Sequence, residues 1–131
     1  MDKTDVLDKL IIANKKEFDK ELIANLLKDF IRITPDADVS LEPDFFKLNN
    51  ERKVIVYLLS RKVMKIKDII KTEGVGQHQI SRDINIPVGS TKTVIKRIAK
   101  SLLKKDDSGY VIPNYNLNKI KEVFKDERWR N

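Results

Sequence analysis

The chain has 131 residues, and its 27 lysines and arginines outnumber its 20 aspartates and glutamates, which gives a net charge of +7 at pH 7. This length suits one domain, or a small domain with an extension. Because the chain has no cysteine, structural disulfides and cysteine-bound metals are excluded. No apolar run approaches the roughly 20 residues of a membrane span, and acidic residues interrupt the start of the chain, unlike in a signal peptide. We therefore expect a cytoplasmic protein with no membrane partner.

The charge is unevenly distributed along the chain. Residues 1–48 hold eight Lys and Arg against eleven Asp and Glu, whereas residues 49–131 hold nineteen against nine. This asymmetry is typical of a basic module that meets a polyanion, joined to an acidic extension. A Lys-rich composition without functional meaning is the alternative. The sequence thus predicts an acidic helical extension with a linker at 1–48 and a basic domain at 49–131.

The acidic part begins with two helical patterns. Thr4 can cap a first helix over about residues 5–14, and a second apolar pattern covers about residues 18–32. No Gly or Pro separates them, so a helical hairpin and one bent helix both remain open. Because an isolated helical pair buries little surface, it must pack on the rest of the chain or on a second copy. We expect these N-terminal helices to hold a homodimer, with the C-terminal helix as the second choice.

Residues 33–49 differ in composition, since they combine two prolines with several acidic side chains. This predicts a loop or linker with at most a short strand at 39–41. Adjacent aromatic residues in such a linker could form a partner site, but anchoring to a core is the simpler interpretation. The predicted anchors are Phe45, Phe46 and Leu48.

A strong helical pattern follows the linker. Asn49 or Asn50 is predicted to cap it. The apolar spacing fits one long helix or two helices broken near residues 60–63. Gly74 is predicted to end the pattern as a left-handed C-cap.

Two further helices joined by a tight turn are predicted next. The first covers residues 77–84, and the second begins at Thr91 with Ser90 as its N-cap and ends near Lys104. A proline and a glycine break the helical pattern between them. One side of the second helix has apolar residues at spacings of three and four, and the opposite side has only Thr, Lys and Arg.

Residues 86–93, which read I-P-x-G-S-x-K-T, resemble the turn and the start of the recognition helix in helix-turn-helix proteins, including the DNA-binding region of bacterial sigma factors. The sequence LLKKDDSGYVIPN at 102–114 is similar to the wing of winged helix-turn-helix proteins. The resemblance covers roughly residues 51–125. It implies a mainly α, winged helix-turn-helix fold, in which a three-helix core carries a short β-hairpin wing, here with an N-terminal helical extension.

The expected wing is a β-hairpin with strands at 103–105 and 110–112 around a tight turn. Asn116 is predicted to cap a last helix over about residues 117–128. Trp129, near the end of that helix, could pack back on the core or contact a partner.

The sequence offers no set of catalytic residues. The only histidine, His78, has no cysteine to complete a metal site, and an exposed helix residue is the simpler interpretation. The Gly-Val-Gly at residues 74–76 lacks the third glycine and the preceding strand of a dinucleotide fingerprint. The adjacent carboxylates Asp106 and Asp107 fit a hairpin turn. We therefore expect neither an enzyme nor a cofactor or metal site.

The basic face of the helix after Ser90 is expected to lie on double-stranded DNA, where base contacts specify sequence and phosphate contacts position the protein. The groove-facing candidates are Lys92, Thr93, Lys96 and Arg97. The phosphate candidates are Ser81 and Arg82 on the preceding helix and Lys104 and Lys105 in the hairpin. Ser90 and Lys100 complete the predicted DNA-binding set.

Two classes of function therefore remain open. The first is a sequence-specific DNA-binding protein, a transcriptional regulator that acts as a dimer because one winged-helix unit contacts one half-site. The second is a protein-interaction module, in which the basic face docks on an acidic partner in a larger assembly. A steep loss of duplex affinity with salt distinguishes the first class from the second.

Overall fold

The computed structural model describes residues 20–124, so the helix predicted at 5–14, the end of the last predicted helix and Trp129 lie outside the described residues. The described part is mainly helical and has two small antiparallel sheets. Its helices are α1 (Lys20–Leu27), α2 (Asn50–Ile66), α3 (Gln77–Ile84), α4 (Val88–Ile98) and α5 (Leu117–Phe124). Its strands are β1 (Ile31–Ile33), β2 (Val39–Leu41), β3 (Lys104–Asp106) and β4 (Gly109–Val111), and short 3-10 helices cover Pro43–Lys47 and Asn114–Asn116.

Helix α2 is the centre of the fold. Asn49 caps it as predicted, because its side-chain oxygen accepts from the backbone N–H of Arg52 at 2.9 Å. Every residue from 54 to 62 is buried, on all sides of the helix. This pattern is typical of a helix that other elements surround. Helices α1, α3 and α4 and strands β1 and β4 all pack against it.

The end of α2 differs from the prediction. The helix is unbroken and ends at Ile66, and Gly74 is not its C-cap. Asp68 adopts the left-handed conformation instead, with φ of 58°. The N–H of Ile69 then donates to the carbonyl of Met64 at 2.8 Å, which is the hydrogen bond of a Schellman motif. Asp is an uncommon residue at this position, so the spacing did not reveal it.

The predicted helix over residues 18–32 is wrong at its C-terminal end. Helix α1 stops at Leu27, and β1 pairs with β2 in the register Ile31↔Leu41 and Ile33↔Val39. The structure thus contains a second hairpin, whose first strand begins at the end of this predicted helix and whose second strand is the short strand predicted at 39–41. A turn at residues 34–38 closes this hairpin, with the left-handed backbone supplied by Ala37 at φ of 68°. Apolar and polar residues alternate in both strands, which is the pattern of a half-exposed hairpin.

One cluster of buried side chains runs from α1 and β1 through α2 to α3, α4 and α5. It crosses residue 48, where the sequence analysis places the boundary between extension and domain. Phe45 and Leu48 belong to the cluster, so the predicted anchoring is confirmed for both. Phe46 differs, because 56% of it is exposed and its ring meets Phe45 edge-on, with 5.9 Å between ring centroids.

The chain after α4 turns into the second hairpin. Helix α4 ends at Ile98 rather than near Lys104. In the segment that follows it, the carbonyl of Leu102 accepts from the side-chain amide of Asn116 at 3.0 Å. The predicted hairpin is present as β3 and β4, which pair Lys105 with Tyr110. Val75 forms an isolated bridge on the other side of Tyr110, so β4 has a neighbour on each side.

Candidate nucleic-acid interface

Helix α4 divides into a buried and an exposed side, as its spacing predicts. Its inner side packs on α2 and α3. The buried residues are Thr91, Val94, Ile95 and Ile98. The exposed residues of the helix beyond its first turn are Lys92, Thr93, Lys96 and Arg97. Lys100 is also exposed and lies in the turn that follows the helix. These five side chains form one surface, which we call the α4 face.

The turn before α4 fixes how this face is presented. Asn85 ends α3 in the left-handed conformation, with φ of 58°. Pro87 follows with φ of −61° and ψ of 145°, and this extended residue starts α4 at Val88. Proline suits the position just before a helix because its φ is already fixed and the first N–H groups have no helical partner.

One predicted DNA contact and one predicted helix cap need correction. Ser81 is buried, and its hydroxyl donates to the hydroxyl of Thr91 at 2.6 Å, so this side chain ties α3 to α4 and is not on the surface. Ser90 is not the N-cap of α4, because the helix already begins at Val88 and Pro87 is its N-cap. Ser90 lies in the first turn and is half-buried, and its role on DNA stays a prediction.

Helix α3 is also bound to α2 through a polar contact. The hydroxyl of the buried Tyr57 donates to the carboxylate of Asp83. Burial, and then this hydrogen bond, raise the pKa of Tyr57 far above its usual value, so the phenol stays a proton donor across the physiological range. Arg82 beside it is exposed, and its Nε lies 4.0 Å from Asp83 Oδ1.

Of the four charged side chains of the α4 face, only Arg97 has an ion-pair partner among the described residues. Arg97 reaches back to α2, where its Nη1 lies 3.5 Å from Glu51 Oε1 at the edge of the face. No ion pair among residues 20–124 involves Lys92, Lys96 or Lys100. Helix α4 itself has no acidic residue, and sequence spacing does not reveal Glu51 because Glu51 and Arg97 are 46 positions apart. The three lysines are therefore the uncompensated charges of the face.

The two lysines of the β3–β4 hairpin lie on opposite sides of it, because successive strand residues alternate. Lys105 is paired with Tyr110, and its Nζ lies 5.4 Å from the centre of that ring. Lys104 lines a groove that also contains Lys62 and Lys65 from the end of α2. Both hairpin lysines are predicted phosphate contacts, but because they lie on opposite sides of the hairpin, one duplex cannot contact both from the same side.

Arg61 holds the segment that leads to this hairpin, and the sequence analysis did not single it out. It is buried, and its guanidinium donates to the carbonyls of Thr72, Glu73 and Gly74 at 3.1–3.2 Å. A side chain at Gly74 would meet Ser108 in the hairpin turn and the backbone N–H of Gly109 at 2.9 Å. The glycine therefore permits the close approach of these two segments.

Asp106 organises the hairpin turn. Its Oδ1 accepts from the N–H and the hydroxyl of Ser108, at 2.8 and 2.6 Å, and from the N–H of Gly109 at 3.1 Å. The hydroxyl and backbone bonds from Ser108 lower the pKa of the Asp106 carboxyl below its usual value. This carboxylate is thus engaged by its own turn, as expected from its position in the sequence.

The described residues contain no group of three or more His, Cys, Asp and Glu side chains placed to hold a metal ion. Within the same residues, no helix combines the length and apolar character that crossing a bilayer requires. No protein-family model, curated protein or solved structure matches this chain.

Proposed function

We propose that this is a cytoplasmic, sequence-specific double-stranded DNA-binding protein with a winged helix-turn-helix fold, a transcriptional regulator that acts as a homodimer. The observation that carries the proposal is the α4 face, which has four exposed cationic side chains and the hydroxyl of Thr93. Its three unpaired lysines repel one another unless a polyanion neutralises them. An exposed helix of this kind fits the major groove.

The order of the elements supports the winged helix-turn-helix assignment. Helix α2 is followed by the bridging residue Val75, then by α3 and α4, and then by the β3–β4 hairpin. In this assignment α4 is the recognition helix and the β3–β4 hairpin is the wing. The tight turn of Asn85 to Pro87 sets the angle between α3 and α4.

Within the α4 face, Lys92 and Lys96 are assigned to the groove, together with Thr93. The hydroxyl of Thr93 donates to the carbonyl of Gly89 at 3.0 Å, which leaves its lone pairs to accept from a base or phosphate-bound water. Arg97 must exchange Glu51 for guanine or phosphate, and this exchange costs little because the contact it gives up is 3.5 Å long and its arginine end is exposed.

The experiment is duplex binding as a function of salt concentration, after selection of a preferred site from random duplexes. We expect Lys96→Ala to weaken binding and to reduce the salt slope by about one unit, because one phosphate or base contact is lost. Lys121→Ala is the matched control, since Lys121 is an equally exposed lysine on α5. Binding with no salt dependence, or equal effects of both substitutions, would contradict the proposal and favour docking on an acidic protein partner.

The wing offers a second matched pair. Lys104 lies on the side of the hairpin that faces the end of α2. The side of α4 that packs on α2 is its buried side, so the α4 face lies on the other side of that helix. We therefore assign Lys105, on the opposite side, to the duplex. Lys105→Ala should lower affinity about equally on all sequences, and Lys104→Ala should change it little. The reverse result would reassign the DNA side of the wing.

The dimer is proposed to form through a groove beside α1. This groove has a volume of about 600 Å³ and lies between α1, β1 and the end of α2. Its floor is apolar and includes Ile66, which is 40% exposed. All its charged lining residues are basic. They are Lys20, Lys28, Arg32 and Lys67.

The proposed occupant is the segment 5–14 of a second copy. Its sequence predicts a helix with an apolar face, and residues 1–10 hold three aspartates against two lysines, which complements the basic rim. Such a helix of ten residues would be about 15 Å long, comparable to the described part of α1 beside the groove. Five residues, 15–19, connect this segment to Lys20 at the edge of the groove.

Sedimentation of the full chain tests the dimer. We expect a dimer for the wild type and a monomer for Ile66→Asp, because the charge would be buried against the apolar face of the partner segment. Phe46→Asp is the control, since Phe46 is the other exposed large apolar residue of the described part. A monomeric wild type, or loss of the dimer in Phe46→Asp alone, would contradict this interface.

A further inference from the structure

A second groove lies on the side of the β3–β4 hairpin away from Lys105. It is bounded by the end of α2, the segment after it, the hairpin and the 3-10 turn at Asn114–Asn116. Its volume is about 480 Å³, within the range of small-molecule sites and far larger than a single ion needs. No residue of the α4 face contributes to it.

The charges of this groove are mostly positive. Four lysines converge on it from three separate parts of the chain. They are Lys62 and Lys65 on α2, Lys71 in the following segment and Lys104 on β3. Two carboxylates, Glu73 and Asp106, also line it.

Both carboxylates are already engaged. Glu73 pairs with the buried Lys62, whose Nζ lies 3.0 Å from Oε2 and 3.3 Å from Oε1. Asp106 directs Oδ1 at three donors of its own turn. No ion pair described for residues 20–124 includes Lys65, Lys71 or Lys104. Three lysines without an ion-pair partner thus outnumber the one carboxylate of the groove that is not itself paired with a lysine, Asp106, and this excess of positive charge favours an anion.

The remaining walls fit a ligand with more than an anionic group. Hydroxyls of Thr72 and Tyr115 line the groove with the lysines, and Tyr115 adds an aromatic surface. Pro113 and Val111 provide an apolar wall next to it. A lining that combines lysines with an aromatic ring and apolar side chains suits a phosphorylated molecule that carries a ring.

We propose that this groove binds a small phosphorylated ligand of nucleotide size, with Lys65, Lys71 and Lys104 on its phosphate groups and Tyr115 beside its ring. Lysine suits this role because it acts as a mobile point charge toward phosphate oxygens. Lys62 holds Glu73 away from the phosphates by pairing with it. The site is distinct from the α4 face and needs no DNA to form.

Calorimetric titration of the full chain with ATP, in magnesium-free buffer and without DNA, tests the site. We expect measurable binding to the wild type, and about tenfold weaker binding to Lys71→Glu and to Lys104→Glu, because each reverses one phosphate contact. Lys121→Glu should bind ATP as the wild type does. Thermal melting of the same variants should be unchanged, since the substituted side chains are exposed.

Two further measurements, with inorganic phosphate and with the Tyr115→Ala variant, test recognition of the phosphate groups and of the ring separately. Phosphate alone should bind at least about tenfold more weakly than ATP, and Tyr115→Ala should reduce ATP affinity but not phosphate affinity. No heat with ATP, equal affinity in Lys71→Glu and wild type, or equal affinity for ATP and phosphate would each overturn the proposal. A loss of duplex affinity in Lys71→Glu without any ATP binding would assign the groove to nucleic acid instead. Because ATP binding is measured without DNA, its failure is distinguishable from failure of the DNA-binding proposal.

Discussion

The two regions that flank α2 are attached to it in different ways. On one side, the α3–α4 pair and the hairpin are joined to α2 and to each other by directed polar contacts, from Tyr57 to Asp83, from Arg61 to three carbonyls and from Ser81 to Thr91. On the other side, α1 and β1 contribute a row of buried apolar side chains. Apolar burial is non-directional, whereas a hydrogen bond fixes distance and angle. Directed contacts are thus concentrated where the α4 face has to be oriented.

Core truncations on both sides test whether the two regions form one unit. Ile98→Ala in α4 and Ile31→Ala in β1 should each lower the free energy of unfolding by about 2–5 kcal/mol, since both remove buried methyl groups from the same cluster. Urea unfolding followed by circular dichroism should show one transition in each variant. An early, separate transition in Ile31→Ala only would mean that α1 and the first hairpin unfold independently.

A conservative substitution should lower the free energy of unfolding more at a directed polar contact than at an apolar one. Arg61→Lys keeps the charge but cannot reach the carbonyls of Thr72, Glu73 and Gly74 together, so it should cost about 1–3 kcal/mol in unfolding free energy. Leu26→Met in α1 conserves volume and should cost less than about 1.5 kcal/mol. Equal costs, measured by urea unfolding, would remove the distinction between the two sides.

The hydrogen bond between Ser81 and Thr91 allows the stability contributed by one directed contact to be measured. Ser81→Ala alone should cost about 1–2 kcal/mol, because the buried hydroxyl of Thr91 loses its partner. The double variant Ser81→Ala with Thr91→Val should cost less than the sum of the single variants, since neither residue then leaves an unpaired hydroxyl. A double-mutant cycle measured by thermal unfolding checks this, and strict additivity would show that the bond contributes no coupling.

The smallest expected effect concerns the hairpin turn. Because the pKa of Asp106 is lowered in the folded chain, its contribution to stability is present above the unfolded-state pKa and is lost as pH falls through the folded value. In an acid titration followed by NMR, the amides of Ser108 and Gly109 should shift with a midpoint below 3.8, the usual value for Asp. A midpoint at or above that value would contradict the turn geometry.

The α4 face and the β3–β4 hairpin could be predicted from sequence because several signals agreed there. The turn residues, the apolar spacing and the Asp-Ser-Gly turn all pointed to the same elements. At Ile31 the sequence signals conflicted, because this residue continues the helical spacing of α1 and also begins the apolar–polar–apolar alternation of a strand. The alternation in residues 31–33 and 39–41, around a Pro-Asp turn, was the signal that could have revealed the first hairpin.

Other features had no local signal. The pairing of Arg97 with Glu51 and the burial of Ser81 depend on side chains that meet only after folding. Similarly, a single bridging residue such as Val75 is too short to have a strand pattern. The convergence of Lys71 and Lys104 on one groove joins segments far apart in the sequence, so spacing arguments could not place them together.

The bridge at Val75 has a mechanical consequence for the hairpin. Tyr110 donates to the carbonyl of Val75 at 2.9 Å and accepts from its N–H at 3.3 Å, while β3 occupies the other edge of β4. Strand β4 is therefore clamped on both edges, and its tip turn lies against Gly74, whose carbonyl is held by Arg61. A force on the hairpin tip is thus transmitted to α2 through a short, stiff connection. The hairpin should move together with the helical core as one rigid body. Hydrogen exchange of the Tyr110 amide should therefore follow opening of the core rather than local fraying.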